Sequence, residues 1–158
     1  MPTRISRSAR IPRRADHSLD YTAAYPGVAA YLDAVVENAR KTGFAITYFG
    51  RKRRIKEISA SNANLRALGE RTAMNHPMQG TAADIIKLAM IEVDKRLAAS
   101  GLKARFCLQI HDELDFECPQ EEVEQLGALV KDAMEHVVQL QVPLDVSVAT
   151  GPTWADAK

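Results

Sequence analysis

Residues 109–117 read QIHDELDFE. Asp112 and Glu113 stand side by side behind His111, at the end of a strand-forming run from Phe106 to Ile110. Adjacent carboxylates repel each other, so a strand that leads into such a pair asks what relieves the repulsion. Hard divalent cations such as magnesium take anionic oxygens held in a near-ideal geometry. A stiff acidic tip beside a phosphate-binding surface is what metal-assisted phosphoryl transfer needs. Acids are also common in plain solvated turns, and His-Asp-Glu by itself leaves both readings open. If Asp112–Glu113 forms a two-residue loop, His111 stands opposite Leu114, Ile110 opposite Asp115, and Cys107 opposite Cys118.

A second constellation lies in residues 70–84, ERTAMNHPMQGTAAD. Arg71, Asn75 and Gln79 are four residues apart, so they share a helical face except where Pro77 bends it. All three are long polar donors. Such donors reach the minor-groove acceptors of a duplex, which sit in nearly the same place in every base pair, so the reading is of pair shape rather than sequence. An ordinary exposed polar face has the same composition.

The elements that must position these residues follow from periodicity. Residues 1–19 are polar, basic and aperiodic, and read as a mobile arm. Pro26 suits the first turn of a helix, Val28, Leu32, Val35, Val36 and Ala39 form its stripe, and Gly43 stops it. Strands are expected at 44–49 and near 53–58, with Gly50 turning between them. Ser61, Asn62 and Asn64 are candidate N-caps for a helix to about Asn75, which Pro77 must kink or interrupt. A new helix is expected at 79–99, with Ile86, Met90, Val93 and Leu97 inward. The acidic hairpin follows, then a long helix over 120–140 and a last strand over 143–149. Helix, hairpin, helices, hairpin, helix, strand is α+β: an antiparallel sheet with helices packed mainly on one face.

Bulk composition narrows the class. At 158 residues, 46% hydrophobic and 26% charged, the chain has the length of an ordinary domain and can bury a real core. The net charge of +1 hides an uneven distribution. Residues 1–14 hold five arginines and no acid, and residues 51–54 are RKRR, whereas 120–135 is acidic. Basic patches of this kind can face phosphate. No run approaches the ~18 apolar residues of a membrane span. Two cysteines without metal-ligand spacing suggest reduced thiols and a cytoplasmic setting.

Taken together, ERTAMNHPMQGTAADIIKLAM and QIHDELDFE resemble the palm side of the family A DNA polymerases, the second stretch being similar to that family's motif C. YPGVAAY at 25–31, TYFGRKRR at 47–54 and VPLDVSVATGPTW at 142–154 resemble further segments of the family in the same order. The resemblance covers about residues 20–158 and implies roles. Asp112 would bind the catalytic magnesium ions of a two-metal site, Glu113 would assist, and His111 would lie near the primer terminus. Arg71, Asn75 and Gln79 would touch the primer–template minor groove. Arg66, with Arg51, Arg53 and Arg54, would supply basic DNA contacts. The implied reaction is template-directed addition of deoxynucleotides to a primer 3′ end, by a bacterial or phage-like chain acting in replication or repair.

Within these 158 residues no counterpart is found for the family's motif A aspartate or for its nucleotide-binding fingers helix. A truncated or split chain is therefore expected, inactive alone and completed by a separate chain carrying the missing parts. The alternatives are a non-catalytic duplex-binding module or a decayed fragment. Two residues depart from expectation. Asp115 replaces an apolar residue on the face of Phe106, Leu108 and Ile110, where an unpaired charge costs several kcal/mol. Gly69 sits inside a helix at a cost of ~1 kcal/mol relative to alanine.

Overall fold

Pro26 does open a helix: α1 runs Pro26–Thr42. Gly43 ends it at φ 78°, a left-handed conformation that glycine adopts without steric cost, and its N–H bonds to the Ala39 carbonyl at 2.8 Å. The structure, a computed structural model, describes residues 2–6 and 24–157. The chain divides into two compact units, one of residues 11–82 and one of 1–10 with 83–158.

In the first unit α1 is followed by the antiparallel strands β2 (Phe44–Ile46) and β3 (Lys52–Arg54), shorter than expected. A 3-10 turn, Lys56–Ser59, leads to the long helix α2, Ala63–Ser100. Ala39, Ala45, Ile55, Ile58 and Ala73 form the core of this unit. Three of these five are alanine, so the backbones pack closely. Asn62 is the N-cap of α2: its side-chain oxygen accepts from the N–H groups of Asn64 at 2.9 Å and Leu65 at 3.3 Å.

Pro77 lies inside α2, which continues through it, so the expected division into two helices is corrected. An interior proline costs about 3 kcal/mol. Hydrogen bonds tie down the turn that follows it. The Thr81 hydroxyl donates to the Pro77 carbonyl, the Tyr48 N–H donates to the same hydroxyl oxygen at 2.9 Å, and the Arg51 guanidinium donates to the Gly80 carbonyl at 2.9 Å. The turn between β2 and β3 is thereby bound to the helix one turn past the proline.

The second unit holds a four-stranded antiparallel sheet of order β4-β5-β1-β6, with β1 Pro2–Ser6, β4 Arg105–Ile110, β5 Glu113–Glu117 and β6 Ser147–Thr150. Residues 83–100 of α2 and the helix α3, Val123–Glu135, cover one face. Ala89 and Val93 of α2, Leu114 and Phe116 of β5, and Leu126, Val130, Ala133 and Met134 of α3 meet there. Each large apolar side chain fully buried in such a core contributes about 1.5–3 kcal/mol. Across this unit's surface Arg96 bonds Glu92 at 2.7 Å and Asp132 at 2.5 Å, and the guanidinium holds both carboxyls below their usual range. The α+β expectation holds, with the strands in two sheets rather than one.

The ends of the second unit correct three expectations. Residues 2–6 of the supposed mobile arm form β1, an interior strand of the sheet, and the rest of 1–19 lies outside the described residues. Thr3 and Ile5 are β-branched, which favours a strand, and β5 and β6 would otherwise present open edges there. α3 stops at Glu135 rather than near 140, because β-branched Val137 and Val138 lower helix propensity and the Glu135 carboxylate turns to accept the Val146 N–H at 2.9 Å. β6 accordingly starts at Ser147, not near 143.

Candidate functional site

The acidic hairpin is built from β4 and β5, but its turn comes one residue earlier than expected and its tip pairing is two residues out. Ile110 pairs with Glu113, Gln109 with Leu114 and Leu108 with Asp115. The two-residue turn is therefore His111–Asp112, and Glu113 is the first residue of β5. His111 has φ 52°, a left-handed conformation that costs a non-glycine residue energy, and the Gln109 side-chain amide donates to its carbonyl oxygen. His111 and Asp112 are exposed and Glu113 is half-buried. The structure thus brings His111, Asp112 and Glu113 together at a tight tip.

A second irregularity lies lower in the hairpin. The register shifts between Phe106 and Leu108, which leaves Cys107 in the bulge. Below it Phe106 pairs with Phe116, their ring centroids 5.1 Å apart. The bulge turns Phe106 to the core side, whereas Leu108 stays on the face of Asp115. Asp115 is only 7% exposed, and the β1 register sets the position of Arg4 beside it. The face expected for Asp115 is thus correct for Leu108 and Ile110 and wrong for Phe106.

The same shift removes the expected facing of the two cysteines. Cys107 is exposed, Cys118 is buried, and neither forms a disulfide. A thiol reagent added to native protein is expected to modify Cys107 quickly and Cys118 only after denaturation, two groups in all. Fewer than two after denaturation would show a bridge that this geometry does not provide.

In the other unit the polar residues of α2 stand as their spacing predicts. Arg71, Asn75 and Gln79 are all exposed on one uninterrupted helical face. Lys52, Arg53 and Arg54 are exposed on β3. Two of the expected DNA contacts are also engaged with backbone. Arg66 donates to the Ala60 carbonyl at 3.0 Å, ahead of α2, and Arg51 holds Gly80. Gly80 is a residue that sequence reasoning missed. A Cβ there would stand 2.6 Å from the Thr47 methyl and 2.9 Å from His76 Cε1, so only glycine lets the hairpin reach the helix. The pair Gln79-Gly80 just past a helical proline was the available signal.

Magnesium keeps several waters and is bound by one or two carboxylates together with substrate phosphates. Asp112 and Glu113 are a donor set that fits one such ion. They do not make a two-metal site: among the described residues no three His, Cys, Asp or Glu side chains come together as a metal centre.

Comparison with known proteins places the chain. The sequence profile of DNA polymerase family A matches residues 2–156, and the chain belongs to that family. The match reaches back to residue 2, beyond the 20–158 over which the resemblance was expected. The chain is 50% identical over 138 residues to DNA polymerase I of Geobacillus stearothermophilus, covering 87% of this chain and 16% of that protein. It is 47% identical over 156 residues to DNA polymerase I of Caldicellulosiruptor bescii, covering 98% of this chain and 18% of that one. Among solved structures, the POL domain of Pol1 from M. smegmatis in complex with DNA primer-template and dNTP matches with a TM-score of 0.82 and 46% identity, over 87% of this chain and 24% of that chain. The chain therefore spans under a fifth of the length of these two DNA polymerase I relatives. No helix among the described residues is long and apolar enough to cross a membrane.

Proposed function

We propose that these residues are the C-terminal palm portion, about 20–158, of a DNA-directed DNA polymerase that adds deoxynucleotides to a primer 3′ end on a template, in the bacterial cytoplasm, in replication or repair. The observation that carries this reading is the 46% identity and 0.82 TM-score to a polymerase domain solved with primer-template and dNTP, over 87% of this chain. The local chemistry agrees with it. Asp112 and Glu113 would hold a magnesium ion at the hairpin tip, with His111 near the primer terminus. Magnesium bound there would supply a Lewis acid for phosphoryl transfer. Arg71, Asn75 and Gln79 would donate to minor-groove acceptors, and Lys52, Arg53, Arg54 and Arg66 would face phosphate.

Primer-template DNA is the proposed partner. A separate chain with the missing carboxylate and nucleotide clamp is the second. Leu88 and Ile91 of α2, 39% and 67% exposed, are large apolar side chains that such a chain would cover. The alternative reading is a non-catalytic duplex-binding module; among the described residues no third His, Cys, Asp or Glu joins the carboxylate pair at the tip.

The duplex reading is tested by fluorescence anisotropy on monodisperse protein at two salt concentrations. Binding should be weak and sequence-tolerant. Neutralising phosphates releases counterions, so affinity should fall steeply with salt. Changing Asn75 and Gln79 to alanine should lower affinity several-fold, about 1 kcal/mol, and equally for duplexes with A·T and T·A exchanged. Salt-independent affinity, or no binding at low salt, would remove the nucleic-acid reading. Deleting residues 1–14 is not a clean test of the basic arm, because it removes the interior strand β1.

A further inference from the structure

We infer that the outward face and tip of the β2–β3 hairpin form a binding site for an unpaired nucleic-acid strand, with Tyr48 and Phe49 as a stacking platform and Lys52 and Arg54 as phosphate contacts. The pairing register sets Phe44 opposite Arg54 and Ile46 opposite Lys52. Residues directly opposite in an antiparallel pair point to the same face, so two apolar and two cationic side chains share one side of this small sheet. All four are exposed, whereas Ala45 between them is buried and marks the other side as the inner one. Past the strands the tip presents Tyr48, 72% exposed, and Phe49, 42% exposed, as an edge-to-face pair with centroids 5.3 Å apart.

These rings do not hold the hairpin in place. The turn is closed by the Thr47 N–H to the Arg51 carbonyl at 3.0 Å and the Gly50 N–H to the Thr47 carbonyl at 2.9 Å. It is fixed to α2 through Tyr48 N–H, Thr81, Arg51 and Gly80. Backbone and polar contacts thus carry the anchoring, and two aromatic rings are left facing water on a stiff support. Aromatic rings interleaved with cations are how proteins hold single strands, each stacked base being worth about 1–3 kcal/mol whatever its identity. A duplex offers such rings few free base faces, because its bases already stack on each other and separating them costs energy. An unpaired strand offers free base faces. The site is therefore separate from the duplex contacts proposed for Arg71, Asn75 and Gln79.

The test uses the full chain with a labelled oligothymidylate, a labelled blunt duplex and vesicles of anionic phospholipid. Tyr48→Ala combined with Phe49→Ala should lower oligothymidylate affinity roughly tenfold and leave duplex affinity unchanged, with circular dichroism verifying the fold. Tyr48→Phe should retain binding, since the ring is what stacks. Lys52→Ala with Arg54→Ala should weaken oligothymidylate binding and flatten its salt dependence. Three results would overturn the inference: oligothymidylate affinity unmoved by loss of both rings, equal losses on oligothymidylate and duplex, or binding to vesicles without binding to oligothymidylate. Loss of the duplex arm alone would instead count against the polymerase reading and leave this one standing.

Discussion

Supplied with magnesium, primed template and all four deoxynucleotides, the purified 158-residue chain extends no primer: that is the expected result. Phosphoryl transfer in a two-metal site depends on cations that stabilise both the attacking and the leaving oxygen. The hairpin tip offers Asp112 and Glu113, enough for one ion, and no third carboxylate joins them among the described residues. Losing several kcal/mol of transition-state stabilisation lowers the rate by roughly a thousandfold or more. An assay on these 158 residues alone would also lack the nucleotide-binding fingers helix that the family resemblance implies, and with it the orientation that makes the attack effectively unimolecular. Gel-resolved extension of a labelled primer is the measurement, with Asp112→Asn as the background control. Extension seen with the unmodified chain and lost in Asp112→Asn would overturn the prediction. Equal extension by both would expose a contaminating enzyme.

Much of this arrangement is legible in the sequence, and the misses have physical causes. Spacing placed Arg71, Asn75 and Gln79 on one exposed helical face, and a strand-forming run beside an acidic turn placed the β4–β5 hairpin. The turn is expected one residue late because the adjacent carboxylates Asp112 and Glu113 suggest the loop, although histidine is among the non-glycine residues enriched at positive φ, as His111 is at φ 52°. That displacement moved the partners of Leu108, Gln109 and Ile110 by two residues, which keeps their faces, and the bulge at Cys107 added the odd step that reverses the face of Phe106. Pro77 was read as a break because local rules penalise it. The hydrogen bonds that hold the helical turn after it come from Tyr48 and Arg51, far away in sequence. β1 was unreadable for a similar reason. A five-residue stretch becomes an interior strand only because β5 and β6 lie on either side of it.

Gly69 is where tertiary structure most sharply reverses a local expectation. Propensity alone says that Gly69→Ala, inside α2, should stabilise the helix by ~1 kcal/mol. The structure points the other way. A Cβ on Gly69 would stand 2.7 Å from the Ile58 nitrogen, 2.8 Å from the Glu57 carbonyl carbon and 2.9 Å from Ile58 Cα. These are backbone atoms of the 3-10 turn Lys56–Ser59, so no side-chain rotation can relieve the overlap. The turn would have to move, taking with it Ile58, which is 4% exposed in the core of that unit. Overpacking of this kind costs typically 1–3 kcal/mol, which outweighs the propensity gain. Gly69→Ala is therefore expected to lower stability by about 1–2 kcal/mol. Gly27→Ala is the paired control. It lies in the first turn of α1 with nothing within 4 Å of a new Cβ, so the same change should be neutral or stabilising by up to about 1 kcal/mol. Urea unfolding followed by circular dichroism should lower the Gly69→Ala midpoint and leave the Gly27→Ala midpoint unchanged or raised. A Gly69→Ala midpoint at or above the parent's would mean that the helix does not press against the 3-10 turn, and that this glycine is a tolerated accident of sequence rather than the residue that lets the two backbones touch.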